Sequence, residues 1–311
     1  MPNCRETGLS FDVRRRRLLR SIAGAAGALL LPERTIAQSA PPESADAIRQ
    51  RLTAALESVL ADPEIVASAR ASRERWYARQ PGIDELIAGL QKRLPPSKTQ
   101  ISKLAVDTIV QLEVSDEKTY TRQYQGVEVP GSYSGVTIGI GYDIGQITRD
   151  FFKEDWQGLI PDELIDRLSA ACGKIKAAAK EIAQSLEDVK ITWQVAIDQF
   201  TNRTLPLYVA DTESAFKNTG KLHPDSLGAL VSLIYNRGTA FSGSNANGED
   251  TRREMRNIRE MMEQDRFGEI PDQFRAMKWI WDQDHGNYSR GLLIRRDIEA
   301  DLFAHGLAQT S

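Results

Sequence analysis

The segment Thr137-Ile-Gly-Ile-Gly-Tyr-Asp143 limits the fold of this 311-residue chain more than any other stretch. Ile138, Ile140, Tyr142 and Ile144 alternate with Thr137, Gly139, Gly141 and Asp143, a two-residue period that specifies extended backbone. Glycines flank Ile140, so the pattern is symmetric about that residue. In one straight strand Thr137 and Asp143 would lie about 20 Å apart. In a hairpin turning within residues 139–141 they face each other, with Cβ atoms about 5 Å apart. Glycine permits the positive φ of such a turn and leaves the backbone open to a ligand. The segment therefore predicts a small hairpin that brings a hydroxyl and a carboxylate together.

Helical patterns surround it. Ile101, Leu104, Ala105, Thr108, Ile109 and Leu112 recur at three- and four-residue spacing, and Glu113 follows directly. Ser97-Lys-Thr-Gln100 has the S-x-x-Q form of a capping box, so the helix is expected to start there. Residues 114–135 show little periodicity and carry Gly126, Pro130, Gly131 and Gly135 as breakers. From about residue 160 onward helix dominates. In the clearest case Leu227, Leu230, Val231, Ile234 and Tyr235 share one stripe, with Asp225 as expected N-cap and Gly238 as C-cap. Residues 38–47 read as a linker and 46–93 as helical, with Ile48, Leu52, Ala55, Leu56, Val59 and Leu60 at helical spacing. The expected architecture is α+β and predominantly helical over residues 97–306, behind a helical N-terminal extension over 41–96.

The first 40 residues have the order of an export signal: Arg14 to Arg17 and Arg20, a mildly apolar Ser21–Leu31 stretch, then small residues near Ala37 and Ser39. Paired arginines before a weak apolar stretch resemble the twin-arginine type, with cleavage expected near residues 37–40. These 40 residues hold seven of the 40 basic and three of the 43 acidic side chains. Their removal leaves 33 basic and 40 acidic residues, a net charge of −7, which argues against nucleic acid as a partner. Of Cys4 and Cys172 only the second would remain, so no internal disulfide is expected. With three histidines and neither HExxH nor CxxC, no metal site or other cofactor is expected. Gly139, Gly141 and Gly145 do not form a dinucleotide fingerprint, because Ile144 stands where G-x-G-x-x-G needs its third glycine.

Two carboxylates in different surroundings suit glycoside hydrolysis, in which an acid protonates the leaving oxygen and a base activates water or attacks. Glu113, at a helix C-terminus behind apolar residues, is placed where both the dipole and desolvation disfavour its charge. Asp143, among glycines and beside a hydroxyl, is placed to stay ionised, with Thr137 able to hold a water between them.

The Thr137–Asp143 segment resembles the β-hairpin motif of phage-type lysozymes, and more closely that of the pesticin lysozyme-like domain. Ala229-Leu-Val-Ser-Leu-Ile-Tyr-Asn-Arg-Gly238 resembles the central helix of phage lysozymes, and Gly291–Phe303, with its Arg-Arg-x-x-Glu core, their closing helix. The resemblance implies a lysozyme-like fold and a muramidase that cleaves between N-acetylmuramic acid and N-acetylglucosamine, with inversion. It implies Glu113 as general acid and, in the pesticin pattern with Asp six residues after Thr, Asp143 and Thr137 as the water-activating pair. The acids Asp116, Glu117 and Glu128 of the intervening loop lack the expected Asp-x-x-Gly context and remain alternatives. Arg295 or Arg296 is implied as a partner of the catalytic Glu, against a surface role on an amphipathic helix. Tyr142, Gly139, Gly141 and Asn236 are the implied substrate contacts. Tyr235, Trp279 and Trp281 are expected in the core rather than on glycan. Peptidoglycan glycan strands are the implied partner, with an immunity or inhibitor protein as a further one. The expected state is a monomer exported to the periplasm, or secreted, by a Gram-negative bacterium. A non-catalytic glycan-binding module and a glycosidase acting on chitin or chitosan are the competing readings.

Overall fold

The computed structural model describes residues 43–77, 93–130, 134–245, 247–282 and 288–310, the side chains of 72–77 excepted. The expected export segment and His285, beside the tryptophans, lie outside the described residues. Helices α1 (Ala45–Ala61), α2 (Pro63–Tyr77) and α3 (Lys103–Val114) come first, followed by a π-helical turn at Tyr120–Tyr124. Strands β1 (Thr137–Ile138) and β2 (Tyr142–Asp143) form one antiparallel hairpin. Helices α4 (Arg149–Trp156), α5 (Asp162–Ser169), α6 (Lys176–Gln184) and α7 (Trp193–Gln199) follow. A second π turn, Phe200–Thr204, leads into α8 (Leu205–Ala215). Then come α9 (Pro224–Arg237), α10 (Arg253–Glu263), α11 (Ile270–Ala276) and α12 (Arg290–Thr310). The fold is α+β and predominantly helical, as its periodicities predict. No described helix is long and apolar enough to cross a membrane.

Helix α9 is the hub. Every residue from Asp225 to Arg237 is buried, which fits a helix enclosed on all sides. It packs along α12, whose remaining faces are covered by α1, α2 and α11. Leu52, Val59, Ile65 and Val66 of the N-terminal helices join the same apolar cluster as α9 and α12. Gly291 is the closest point: a Cβ there would stand 1.9 Å from the Ile65 carbonyl oxygen, so only glycine lets α2 and α12 touch. Polar contacts reinforce the docking. Arg51 holds Asp301 through two hydrogen bonds of 2.9 Å, and Ser68 Oγ accepts from Gly291 N at 3.0 Å.

Three boundaries differ from expectation. Helix α1 already begins at Ala45, capped by Ser44, inside the stretch read as linker. Helix α3 starts at Lys103, with Ser102 and not Ser97 as its N-cap; Ser102 Oγ accepts from Ala105 N at 3.0 Å. Ser97 instead lies ahead of the helix, its N–H donating to Pro206 O at 3.0 Å and its Oγ accepting from Thr99 N at 3.0 Å. The N-cap of α9 is His223, whose Nδ1 accepts from Asp225 N at 3.2 Å. The Asp225 carboxylate goes elsewhere: it accepts from Ser102 Oγ and lies 2.7 Å from His305 Nδ1. A long-range contact has thus taken the side chain that local pattern assigned to a cap.

Candidate active site

Glu113 is the penultimate residue of α3, and the chain leaves the helix at once through Ser115, a non-glycine residue with φ of 67°. That geometry is costly for an L-residue and is typically held by the structure around a functional site. The Glu113 side chain is only 2% exposed, and its Oε1 accepts from Arg295 Nη1 at 2.7 Å. Arg295 is shared: its Nε donates to Glu299 at 3.0 Å and its Nη2 to Ser232 Oγ at 3.1 Å. Arg296 pairs with the same Glu299 at 2.9 Å and donates to Asn236 Oδ1 at 3.0 Å. Two carboxylates and two guanidinium groups thus form a charge-balanced buried quartet, the arrangement that makes buried charge tolerable. Burial, with Arg295 adding to it and Glu299 opposing, pushes the Arg296 guanidinium down to about 10. Arg295 and Arg296 are therefore interior groups, and Arg295 is the one that meets Glu113.

The hairpin turns where the sequence symmetry places it. Gly139 and Gly141 have φ of 58° and 73°, and the register sets Thr137 opposite Asp143 and Ile138 opposite Tyr142. Ile144 N donates to Val136 O at 2.8 Å, so Thr137 and Asp143 are a non-hydrogen-bonded pair, the kind whose side chains stand closer. On its other side Thr137 pairs with Glu128 through reciprocal backbone hydrogen bonds of 2.7 and 3.0 Å. Glu128, Thr137 and Asp143 therefore stand in a row across three chain segments. The Asp143 carboxylate accepts from Gly135 N at 3.1 Å and Gly145 N at 2.9 Å, contacts that suit an ionised acceptor.

The loop acids have diverged in role. Asp116 caps the turn that follows α3, accepting from Thr119 N at 2.7 Å, and this bond holds its carboxyl below the usual range. Glu117 is exposed. Glu128 is pushed up by burial, with Arg70 opposing at 2.6 Å. Arg70, on α2, also donates to the Glu113 carbonyl at 3.1 Å and lies 4.7 Å from the Tyr124 ring centre. One guanidinium thus ties the N-terminal helices to α3 and to the segment paired with the hairpin.

A cavity of about 260 Å³ opens beside the hairpin. Thr137, Gly141, Tyr142 and Asp143 line it, with Thr204, Tyr208 and Asp211 from α8 and the turn before it, and Tyr235 from α9. Arg70 and Arg93 reach it from the N-terminal segment. Glu113, Gly139 and Asn236 are not among the lining residues: Glu113 sits in the quartet, Gly139 packs on Trp156 and Asn236 holds Arg296. Tyr142 is 7% exposed, edge-on to Trp156, and donates to Asp155 at 2.6 Å. Arg93 clamps the same Asp155 from the other side, at 2.7 Å through Nη1. Tyr235 is buried and donates to Ile140 O, which pins the turn to α9. Trp281 is 3% exposed, and Trp279 donates to Glu254 at 3.0 Å, so both serve packing. Arg70, Arg93, Asp155 and Asp211 carry no local signal; each sits in an ordinary charged stretch. Glu299 has one, being spaced four and three residues from Arg295 and Arg296.

Residues 103–243 match the family model described as Pesticin, bacterial toxin homologue of phage lysozyme, C-term. The match starts at the first residue of α3 and takes in Glu113, the hairpin and α9. Over that stretch the chain is similar to the lysozyme-like domain of the pesticin type. Arg70, Arg93 and the α12 arginines lie outside it. Comparison with curated proteins gives no match.

Proposed function

We propose that this protein is a lysozyme-type peptidoglycan hydrolase, cleaving the bond from N-acetylmuramic acid to N-acetylglucosamine with inversion. The observation that carries the reading is the side-by-side placement of Thr137 and Asp143 on the cavity wall, inside the stretch that matches the pesticin family. Asp143, anchored by two backbone N–H groups, takes a proton from a water steadied by Thr137, and that water attacks the anomeric carbon. Glu113, which lies in the buried quartet rather than on the cavity wall, protonates the departing oxygen, a contact that only the substrate complex completes. Burial disfavours charge on Glu113 and the Arg295 guanidinium favours it. Because Arg295 also holds Glu299, Glu113 can take up and release a proton without leaving Arg295 unpaired. Tyr142 and Gly141 contribute the wall against which a sugar rests.

The first 40 residues export the chain to the wall compartment in this reading. Wall remodelling and attack on competitors use the same chemistry; the second role calls for an immunity or inhibitor protein in the producer. The test is digestion of purified sacculi, with product masses. Disaccharide-peptides ending in reducing N-acetylmuramic acid are expected. Binding to sacculi without release of reducing ends would leave only a glycan-binding module, and turnover confined to chitin or chitosan would give a different glycosidase.

A further inference from the structure

One carboxylate on the cavity wall has no part in the chemistry above. Asp211 lies on α8, and with Thr204 and Tyr208 it follows the i, i+4, i+7 spacing that puts three side chains on one helix face. That face lines the same cavity as Thr137 and Asp143. Among the described residues no group donates a hydrogen bond to the Asp211 carboxylate. Burial pushes its carboxyl up, and only the more distant charge of Arg93 opposes this. Arg93 itself is committed to Asp155 through both terminal nitrogens. A half-buried carboxylate held by no protein donor is placed to accept an N–H or O–H from a ligand, and partial burial strengthens such a bond.

The neighbours narrow the ligand. Tyr208, one turn before Asp211, is braced against Tyr235 with ring centres 4.5 Å apart, so it offers a fixed aromatic surface at the cavity wall. Aromatic faces of this kind suit the apolar C–H face of a pyranose ring. Leu207 and Ile147 line the cavity with aliphatic surface that would receive a methyl group. An acceptor, a ring platform and an aliphatic patch together match an acetamido sugar, whose amide N–H and methyl lie on one substituent.

We propose that Asp211 is a substrate-binding residue of the cleft, accepting a hydrogen bond from the acetamido N–H of a glycan residue that stacks on Tyr208. This rests on the glycan-hydrolase reading and deepens it. Asp211 is not part of the buried quartet and moves no proton in the proposed reaction, so its removal acts on binding. A charge-assisted hydrogen bond lost on substitution corresponds to roughly a tenfold weakening or more.

The experiment uses the full chain with Asp211→Leu and Asp211→Asn, assayed on sacculi and titrated calorimetrically with chitotriose. The expected result is a KM raised about tenfold in Asp211→Leu with kcat nearly unchanged. Asp211→Asn, which keeps an acceptor oxygen and the side-chain shape, is expected to fall between. Chitotriose affinity is expected to drop in parallel. An unchanged KM and affinity in both variants would overturn the proposal, as would a collapse of kcat at constant KM, which would make Asp211 a proton-transfer group. If the wild type binds chitotriose through Asp211 but releases no reducing ends, the hydrolase reading falls and the binding role stands. If the wild type neither binds nor cleaves, both fall.

Discussion

The proposed reaction requires Glu113 to be tolerable in two charge states, and its surroundings supply that tolerance. Arg295 is its partner, but Glu299 and Ser232 keep Arg295 satisfied when Glu113 is neutral. Arg295→Met removes the shared cation and leaves two buried carboxylates with less compensation. A loss of about 3–5 kcal/mol in unfolding free energy is expected by urea titration, with part recovered on adding Glu299→Gln. Glu113 is legible in the sequence because an apolar helical stripe ends on it. The Arg295 pairing is not legible from spacing, since 182 residues separate the two. A second residue-scale expectation concerns Cys172, half-buried, whose thiol burial pushes up from 9.0 to about 11. Its folded pKa exceeds the unfolded one, so its contribution is whole below pH 9 and is lost as pH rises towards 11. Relative to wild type, Cys172→Ser is expected to lose less melting temperature over that window; equal slopes would remove the thiol from the account.

The hairpin is the element on which the site depends, and its chemistry is written locally. Strict alternation fixes the strand faces, and glycines at 139 and 141 meet the positive φ of the turn, so the Thr137–Asp143 register follows from the residues alone. Gly141→Ala forces an L-residue into the left-handed region at a cost of about 1–2 kcal/mol. The expected outcome is a drop in hydrolysis beyond that in stability, because the turn sets the Thr137–Asp143 pairing; proportionate losses would mean that the register is held from outside the turn. The helix starts are less legible for a physical reason. Ser97 and Asp225 both have cap-forming side chains, yet Ser102 and His223 take those roles while Asp225 bridges Ser102 and His305 across 123 and 80 residues. Local pattern ranks caps by residue type; tertiary contact decides which is free to act. The row of Glu128, Thr137 and Asp143 is likewise a product of long-range pairing, since the loop that carries Glu128 has no periodicity to announce it.

At the scale of the molecule, the matched lysozyme-like stretch does not stand alone. Helices α1 and α2 share its core, and α2 sends Arg70 to α3 and the cavity. Their helical character is legible in the spacing of Ile48, Leu52 and Val59. Their docking is not, because it rests on Gly291, Ser68 and Arg51 meeting partners more than 200 residues away. Leu52→Ala, at a fully buried position, is expected to cost about 2–5 kcal/mol and to lower the midpoint of a single cooperative transition. Two separate transitions would show that the N-terminal helices fold apart from the rest. In the proposed reaction Glu113 and Asp143 act as acid and base across one glycosidic bond. This assignment is tested most directly by reducing-end release from sacculi by Glu113→Gln, Asp143→Asn and Glu128→Gln, with folding of each confirmed by circular dichroism. Losses of roughly 10²–10⁴-fold are expected for the first two, and only a modest change for Glu128→Gln. Activity that survives in Asp143→Asn but disappears in Glu128→Gln would contradict it and move the base to the far side of Thr137.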